Sequence, residues 1–273
     1  MKTPRLDFRD KTAVITGAGS GIGRALAVAL AARGCHLALA DIHADNLRQT
    51  VSQVRDSGVR ASAHVIDVAS REQVAGFPGQ VLLEHASIDL LFNNAGVAVG
   101  GQFLETTETD FDWLFEINFH GVVRMTRAFL PVLLQRPDAH IINTASIFGI
   151  IAPAGQTHYS ASKFAVRGFS DALRHELDGT SVGVTAVCPG GIATAIAESA
   201  RFSATHSKDH IDQQLEKSRR LLRKPPAEAA EIILAGVARR RPRILVGADA
   251  HIAALLEKIM PTRYGSLLRR FTQ

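Results

Sequence analysis

Short apolar runs alternate along the chain with longer segments in which apolar residues recur every three to four positions. Residues 11–16 form the first short run, and the helical period follows over residues 22–33. Further runs of the strand type lie at 36–40, 61–66, 88–92, 140–144, 182–187 and 243–246. Regular alternation of strand and helix is typical of α/β proteins with a parallel sheet. The pattern therefore predicts an α/β fold with seven strands.

Helices are predicted in the intervals between these runs. They cover residues 22–33, 46–56, 71–84, 110–134, the stretch from Tyr159 to 177, 225–239 and 251–260. Gly76, Pro78 and Gly79 predict a kink or restart in the third of these helices, because proline lacks a donor and its ring clashes with the preceding turn. No internal boundary signal appears, so we expect one domain over residues 1–273.

Composition narrows the class of protein. Hydrophobic residues make up 46% of the 273 residues and charged residues 21%, as in an ordinary globular core. Cys35 and Cys188 have apolar neighbours and no metal-type spacing, which favours buried thiols in a reducing compartment. Residues 1–10 hold no apolar signal segment, and no apolar run reaches the roughly 18 residues that a membrane span needs. We therefore expect a cytoplasmic protein without an integral membrane segment.

The formal net charge is +5, and much of the excess lies in late arginines at 219–220, 239–241 and 269–270. A basic tail of this kind can bind nucleic acid or an anionic membrane, although solvated faces and helix C-termini use the same residues. We favour the second interpretation because no nucleic-acid recognition motif accompanies the arginines, and we expect no nucleic-acid partner.

A cluster of glycines follows the first predicted strand. Residues 16–23 read Thr-Gly-Ala-Gly-Ser-Gly-Ile-Gly and lead into the first helix. Glycines at such a place allow a tight turn and a close approach of backbone to a pyrophosphate, and the helix amides then face the phosphates. The alternative is an ordinary turn between strand and helix. The predicted phosphate-binding residues are Gly17, Gly19, Ser20, Gly21, Ile22 and Gly23.

An acidic residue, Asp41, ends the second predicted strand. A carboxylate about 20 residues beyond the glycines can accept hydrogen bonds from both hydroxyls of an adenosine ribose, and it would repel a 2′-phosphate. No arginine stands at Ile42 or His43 to hold such a phosphate. NAD is therefore favoured over NADP. The alternative role, an N-cap of the next helix, is shared with Asp45.

Three polar side chains provide candidate proton-transfer chemistry. Tyr159 and Lys163 are four residues apart, so that on a helix they share one face. An ammonium beside a phenol lowers the phenol pKa from about 10 and makes a usable acid or base near neutral pH. Ser146 follows the fifth predicted strand, and its hydroxyl can bind a carbonyl that the tyrosine protonates.

These three residues, the glycine motif and the sequence Asn-Asn-Ala-Gly at 93–96 resemble the classical short-chain dehydrogenase/reductase family over nearly the whole chain. The resemblance implies a single Rossmann-type, doubly wound parallel sheet in the order 3-2-1-4-5-6-7, with helices on both faces. In the family, NADP-preferring members often carry a basic residue at the position of Ser20. The resemblance also implies a homodimer or homotetramer, formed through the helices that carry Asn118 and Tyr159.

The resemblance assigns further site residues. Asn118 is expected to bend its helix and to bind a water of the proton relay, whereas the alternative is a surface asparagine. Asn93 is expected to brace the sheet at least in part. The remaining cofactor contacts implied are Ile42, Asp67, Val68, Asn94, Ala95, Gly96, Tyr159, Lys163, Pro189, Gly190, Ile192 and Thr194.

The expected function is NAD(H)-dependent interconversion of a secondary alcohol and a carbonyl, without a metal. Tyr159 is the expected general acid/base, Lys163 lowers its pKa and holds the nicotinamide ribose, and Ser146 orients the substrate oxygen. An NADP-dependent carbonyl reductase and a dinucleotide-sensing regulatory protein on the same fold are the alternatives. A lipophilic substrate would suit Ile147, Phe148, Ile150 and Ile151 as a cleft wall, although the same residues equally suit a core.

Two segments late in the chain are expected to act around the cleft. The resemblance implies a substrate lid over residues 192–224, and their polar, helix-capable sequence equally fits a disordered insertion. Residues 251–273 form a C-terminal helix and tail. The basic and apolar tail can cover the cleft, contact a partner subunit or rest on a membrane, and packing is our default expectation.

Overall fold

The computed structural model of this chain describes residues 5–203 and 207–265. The strands are β1 Thr12–Thr16, β2 His36–Asp41, β3 Ala61–Val65, β4 Leu90–Asn93, β5 Val99–Gly100, β6 Ala139–Thr144, β7 Val182–Pro189, β8 Arg201–Phe202 and β9 Arg243–Val246. The helices are α1 Gly21–Ala31, α2 Ala44–Val54, α3 Arg71–Glu84, α4 Glu108–Phe115, α5 Gly121–Leu133, α6 Thr157–Glu176, α7 Lys208–Leu221, α8 Pro226–Ala238 and α9 Ala248–Ile259. Short 3₁₀ turns occupy Arg55–Ser57, Phe103–Glu105 and Ile147–Gly149.

Seven strands form one parallel sheet in the order β3-β2-β1-β4-β6-β7-β9. These are the seven strands that the apolar runs predict, and their spatial order confirms the prediction once the two short strands β5 and β8 are left out of the count. The order reverses between β1 and β4, where Val14 pairs with Ala38 on one side and Leu91 on the other. In open sheets of this type ligands bind at that switch point, outside the carboxyl ends of the strands.

Strands β5 and β8 pair with each other in a separate two-stranded parallel sheet. Each is two residues long, so neither has enough residues to show a periodic pattern, and the sequence does not predict them. The pairing attaches the segment after Gly96 to the predicted lid segment.

Hydrophobic layers cover both faces of the large sheet. Ile15 packs with α1 and α8 on one face, in a cluster that includes Leu26 and Ile233. The adjacent residue Val14 packs on the other face with Phe77 of α3 and with buried residues of α5 such as Phe129. Neighbouring strand residues point to opposite faces, and both faces are buried, which explains the nearly continuous apolar runs.

The long helix predicted over 110–134 is not continuous. Helix α4 ends at Phe115, a π-helical turn occupies Glu116–His120, and α5 begins at Gly121. A π-turn inserts one extra residue into the helix and is often found at functional sites. Because Asn118 lies inside this turn, the expected bend of the helix at Asn118 corresponds to a real change in helix type.

Helix α3, by contrast, runs without interruption from Arg71 to Glu84, so the restart predicted at its glycines and proline is wrong. Pro78 lies in its interior and is buried together with Val74, Phe77 and Val81. Burial of this apolar face compensates for the hydrogen bond that proline cannot donate.

None of the helices within the described part of the chain is both long and apolar enough to cross a membrane. The predicted tail beyond residue 265 lies outside the described residues, as do residues 204–206 of the predicted lid.

Candidate active site

The glycine-rich turn between β1 and α1 is closely surrounded by other backbone segments. Gly17 and Gly21 adopt positive φ angles of 65° and 51°, which glycine tolerates without steric cost. A Cβ at Gly17 would lie 2.9 Å from the Cα of Ala95, and one at Gly23 would collide with the carbonyl of Gly17. Ser20 is the exposed N-cap of α1 and its side chain makes no capping bond. The first amides of α1 are therefore not capped by Ser20.

Asp41 lies against the same turn from the end of β2. One carboxylate oxygen accepts a hydrogen bond from the amide of Gly19 at 2.8 Å, and the other accepts from the amide of His43 at 2.9 Å. Helix α2 has His43 as its N-cap residue, with no side-chain capping bond. Each carboxylate oxygen has a second lone pair. Asp41 can thus still accept hydrogen bonds from a ligand.

Arg24 holds the other side of the Gly19 peptide. Its guanidinium donates to the carbonyl of Gly19 and to the hydroxyl of Thr50, the latter at 3.0 Å. The sequence analysis did not single out Arg24, because an arginine in the second turn of a helix carries no local signal of this contact.

The residues that follow β3 extend the same edge of the sheet. A carboxylate oxygen of Asp67 accepts from the amide of Ala69 at 2.9 Å, and Val68 is buried. A Cβ at Gly121 would lie 2.9 Å from a methyl group of Val68. Val68 therefore supports the start of α5, directly after the π-turn.

The Asn-Asn-Ala-Gly motif after β4 has two different functions in the fold. Asn93 is buried and donates to the side chains of Thr126 at 3.1 Å and Asn143 at 2.8 Å. Asn94 instead faces the glycine turn, where its side-chain amide donates to the carbonyl of Thr16 at 3.2 Å. Asn93 thus braces the sheet, whereas Asn94 positions the turn.

The Thr16 hydroxyl fixes the backbone at this motif, because it accepts from the amides of Asn94 and Ala95, both at 3.0 Å.

Gly96 lies directly beside the candidate catalytic residues. A Cβ placed on it would lie 3.2 Å from Asn118 Oδ1 and 3.5 Å from Lys163 Nζ.

The turn after β7 meets the glycine-rich turn from the other side. A Cβ at Gly21 would lie 2.9 Å from a methyl group of Thr194. Ile192 is buried and forms an isolated bridge with Lys224. Pro189 ends β7, and at Gly190 a Cβ would collide with the carboxylate of Asp249.

Asp249, in the first turn of α9, accepts a hydrogen bond from the amide of Gly191 at 2.6 Å. Sequence reasoning missed this residue, because 58 positions separate the two partners.

Tyr159 and Lys163 lie on α6, and Ser146 follows β6 by two residues. The Ser146 hydroxyl accepts from the amide of Phe148 at 3.1 Å and lies near enough to Tyr159 to influence the pKa of its phenol. Lys163 is buried, and its Nζ donates to the carbonyl of Thr144 at 3.0 Å while it lies 5.7 Å from the centroid of the Tyr159 ring. The three predicted side chains are thus brought together at the carboxyl end of β6.

The electrostatics of this group differ from the expectation. Burial lowers the pKa of Lys163 to about 8. Burial also raises the pKa of Tyr159, and the nearby Ser146 hydroxyl opposes that rise. No lowering of the Tyr159 pKa by Lys163 accompanies this arrangement, in which the ammonium donates to the carbonyl of Thr144.

Asn118 is completely buried, so the surface alternative is wrong. Its Oδ1 accepts from the amide of Val97 at 2.8 Å, and its Nδ2 donates to the carbonyl of Val97 at 3.0 Å. Nδ2 of Asn118 also donates to the hydroxyl of Ser162 on α6 at 3.4 Å. Asn118 therefore connects the π-turn, the segment after Gly96 and the catalytic helix.

The apolar residues after Ser146 divide into two groups. Ile147, Ile150 and Ile151 are buried in a cluster with alanines of α9, which supports the core interpretation for them. Phe148 is half-buried, and its ring meets the Tyr159 ring edge-on with centroids 6.2 Å apart. Tyr264 packs against this cluster, and its hydroxyl accepts from the amide of Ala152 at 3.1 Å.

No group of three or more histidine, cysteine or acidic side chains arranged to hold a metal ion occurs among residues 5–203 and 207–265. The polar groups gathered here are hydroxyls, amides, one ammonium and the carboxylates of Asp41, Asp67 and Asp249.

Comparison with known proteins gives the class of this protein. A family model described as short chain dehydrogenase matches residues 11–204. A putative oxidoreductase, SadH of Mycobacterium tuberculosis, is 41% identical over 96% of this chain and 95% of the relative. The 3-oxoacyl-(acyl-carrier-protein) reductase FabG of Thermotoga maritima is 33% identical over 69% of this chain and 76% of the relative.

Among solved structures, a short-chain dehydrogenase/reductase of Burkholderia phymatum in complex with NAD is similar, with a TM-score of 0.86 and 34% identity over 97% of this chain and 96% of that chain. The chain belongs to the short-chain dehydrogenase/reductase family. It is an oxidoreductase that acts on CH–OH groups with NAD or NADP as acceptor.

Proposed function

We propose that this chain catalyses the NAD(H)-dependent interconversion of a secondary alcohol and a carbonyl on a lipophilic small molecule. The observation that carries the proposal is the contact between Ser146 and Tyr159 beside a buried Lys163, at the carboxyl edge of the sheet. Polar residues with perturbed pKa values in such a place are typical of acid–base catalysis.

The turn that would receive the cofactor has the shape of a dinucleotide site. Positions Gly17, Gly19 and Gly21 have no room for a side chain, because a Cβ on each would approach Ala95, Asp41 or Thr194 within 3 Å. Backbone amides can therefore approach phosphate oxygens closely. The turn residues proposed for the phosphates are Gly17, Gly19, Ser20, Gly21, Ile22 and Gly23. The other proposed dinucleotide contacts are Asp41, Ile42, Asp67, Val68, Asn94, Ala95, Gly96, Tyr159, Lys163, Pro189, Gly190, Ile192 and Thr194, with Asp67 at the adenine and Ile192 and Thr194 at the carboxamide.

The choice of NAD over NADP rests on Asp41. Its remaining lone pairs can accept from both ribose hydroxyls, and its charge would repel a 2′-phosphate. The neighbours Ser20 and Ile42 are exposed and uncharged. Arg24 is engaged with the carbonyl of Gly19, so it is not free to bind a phosphate. The solved relative in complex with NAD agrees with this choice.

A bound nicotinamide would supply or accept the hydride. Tyr159 would take the alcohol proton during oxidation and return it during reduction. The Ser146 hydroxyl would hold the substrate oxygen in line with the phenol. Because the Tyr159 pKa is raised by burial, positive charge close to the phenol is needed to form a phenolate near neutral pH. Lys163 and an oxidised nicotinamide are the two sources of that charge in this proposal.

Asn118 and Lys163 are assigned to the path that resupplies the proton. Both groups lie beside Gly96, and Asn118 is bonded to the backbone of Val97 through both ends of its amide. This bonding leaves Asn118 a positioning role in the proposal, with its remaining acceptor capacity available to a water molecule.

Phe148 supports a lipophilic substrate, because it is the half-buried aromatic residue next to Tyr159. Residues 192–224 are proposed as the substrate lid and residues 251–273 as a C-terminal helix and tail, within one domain over residues 1–273. A homodimer or homotetramer in the cytoplasm is proposed on the strength of family membership.

The test is turnover on a panel of secondary alcohols and ketones, with NAD(H) and NADP(H) measured in parallel and Tyr159→Phe as the control variant. NAD-dependent turnover that the variant loses is the expected result. A clear preference for NADP would overturn the assignment of Asp41 and favour the carbonyl-reductase alternative. Tight dinucleotide binding with full biological effect in Tyr159→Phe would overturn catalysis in favour of a sensor.

A further inference from the structure

Segment 192–224, which the structure describes over residues 192–203 and 207–224, is hydrogen-bonded to its surroundings at its two ends and at β8. Its ends meet at the turn after β7, where the amide of Ala193 donates to the carbonyl of Lys224 at 2.9 Å and the amide of Lys224 donates to the carbonyl of Gly191 at 3.0 Å. Farther along, β8 pairs with β5, and the amide of Arg201 donates to the carbonyl of Ala98 at 3.1 Å. The helix that follows, α7, has no buried residue.

Strand β5 is tied directly to residues that surround the reacting groups. His158, which precedes Tyr159, is fully buried and donates from Nε2 to the carbonyl of Val99 at 2.6 Å. Val97, two residues before Val99, is hydrogen-bonded to the side chain of Asn118 through both its amide and its carbonyl. A displacement of β5 therefore acts on Asn118 and on the first turn of α6.

The side chains of β8 strengthen the contact between the two short strands. A Cβ at Gly100 would collide with the ring of Phe202, so the ring covers the backbone of β5 at a position where only glycine fits. The guanidinium of Arg201 lies 3.6 Å from the centroid of the Trp113 ring, and its Nη1 is 3.2 Å from a carboxylate oxygen of Asp110. Both partners of Arg201 belong to α4.

The ion pair and the stacking contact of Arg201 differ in how much they stabilise the attachment of β8. An exposed ion pair between Arg201 and Asp110 contributes little by itself, because solvent screens it. A cation stacked on an indole face adds attraction that does not require a second charge. Arginine suits this contact better than lysine because the planar guanidinium can lie parallel to the ring. Together with a strand pair of two residues, the contact is weak enough to open and close reversibly.

We propose that Arg201 is a positioning residue that latches segment 192–224 onto α4 and β5, and through β5 holds Asn118 and the start of α6 in place. The consequence for the enzyme rests on the proposed function: with the latch closed, a bound dinucleotide is retained, and release of the latch speeds its departure. The latch itself is a property of the free protein and is testable without any ligand.

The first experiment measures amide hydrogen exchange of the ligand-free protein by mass spectrometry. Arg201→Met removes the charge and the stacking plane, and Arg220→Met is the matched control, since Arg220 belongs to the same segment and its ion pair is with Glu216 of its own helix. Peptides that span 97–100 and 198–203 are expected to exchange at least tenfold faster in Arg201→Met than in Arg220→Met. Equal exchange in the two variants would overturn the latch.

Arg201→Lys separates stacking from charge. It keeps the charge but removes the planar guanidinium, so exchange is expected to be faster than in the native protein and no slower than midway to Arg201→Met. Protection equal to that of the native protein would overturn stacking as the origin of the latch. If Arg201→Met does not unfold cooperatively on heating, the comparison uses Arg201→Lys and Arg220→Lys instead. Exchange of the same two peptides is then expected to be at least threefold faster in Arg201→Lys.

The second experiment follows release of NADH. Trp113 is the one tryptophan of the chain, so energy transfer from it to bound NADH can be followed while excess NAD displaces the NADH. Release is expected to be at least fivefold faster in Arg201→Met and within twofold of the native rate in Arg220→Met. Equal release rates would overturn the retention role. Absence of NADH binding in every variant would instead overturn the proposed function, and hydrogen exchange would still decide the latch.

Discussion

Two lysines at opposite edges of the same sheet, one buried and one half-buried, show how differently the chain surrounds a cation. Lys163, at the carboxyl edge, is 3% exposed and donates to the carbonyl of Thr144. Within residues 5–203 and 207–265 it forms no ion pair with an acidic side chain. Lys11, at the amino edge just before β1, pairs with the carboxylate of Asp138 at 3.2 Å. Burial lowers the pKa of both lysines, to about 8 for Lys163.

The surroundings of Lys11 extend this difference. Asp138 also pairs with Arg240, and the neighbouring Asp89 pairs with Arg136 at 2.8 Å. The amino edge thus compensates buried charge with opposite charge, as a structural network does. The carboxyl edge leaves a buried ammonium without a carboxylate partner in the described part of the chain, which costs stability and is typical of sites that use the charge. The two edges therefore differ in how they offset a charge taken out of water.

The largest expected effect comes from removing each ammonium in turn. Lys163→Met is expected to lower kcat by roughly 10²–10⁴-fold, because the proton-transfer group loses its neighbouring charge. Its free energy of unfolding should be unchanged or higher, since no buried carboxylate is left without a partner. Steady-state turnover and urea unfolding measure the two quantities.

Lys11→Met is the matched control for that prediction. It should keep kcat within about twofold while it lowers the free energy of unfolding by about 1 kcal/mol, because Asp138 keeps Arg240 as a partner. A loss of activity as large as that of Lys163→Met would contradict the distinction between the two edges.

Two buried histidines of the framework predict a loss of stability in acid. Burial lowers the pKa of His85 and of His140 to about 4. Because the unfolded chain binds these protons near pH 6.5, the stabilising contribution is complete above that pH and is lost as the pH falls from about 6.5 towards 4. The pair should cost about 2–4 kcal/mol between pH 7 and pH 5.

Denaturant unfolding at a series of pH values measures this slope. His85→Gln should flatten it, because one of the two titrating groups is removed. An unchanged free energy of unfolding between pH 7 and pH 5 would contradict the neutral, buried state of both rings.

Arg136→Met tests the paired edge directly. Asp89 is 2% exposed, and its Oδ1 receives the Arg136 bond while the Thr12 amide and the Ser87 hydroxyl bind Oδ2. Loss of the arginine leaves a buried carboxylate without its ion pair, which should lower the free energy of unfolding by about 2 kcal/mol. Arg220→Met, which breaks an exposed pair, should cost less than about 0.5 kcal/mol, and equal costs in the two variants would count against the assignment.

The smallest effect concerns the choice of cofactor. Asp41→Ala removes the acceptor at the end of β2 and should raise the Kd for NAD about tenfold, with a smaller change for NADP because the charge repulsion is removed as well. Isothermal titration of both dinucleotides gives the ratio. Asp45→Ala, which removes an exposed carboxylate paired with Arg48, is the control. An unaltered NAD-to-NADP ratio in Asp41→Ala would remove the carboxylate from the selectivity.

The parts of this protein that sequence predicted well are those with a repeating or a local signal. The seven long strands are buried on both faces and so appear as apolar runs, and the glycine turn, Ser146, Tyr159 and Lys163 stand in short motifs. Chain-distant contacts had no such signal: Asp249 meets Gly191 across 58 positions, and Arg201 meets Asp110 across 91. Helix α3 continues through Pro78 because tertiary burial outweighs local propensity. The lysine–tyrosine spacing was read correctly, but the direction of the ammonium depends on the carbonyl of Thr144.

The most direct test of the central claim is the rate of NADH formation at 340 nm in a single turnover with the best secondary alcohol of the panel, for the native protein and Tyr159→Phe. Tyr159→Phe is expected to lose at least about 10³-fold in this rate and to retain NAD binding within a few-fold, because phenylalanine fills the same space but lacks the oxygen that carries the proton. Equal rates of NADH formation in the two proteins would contradict Tyr159 as the general acid/base.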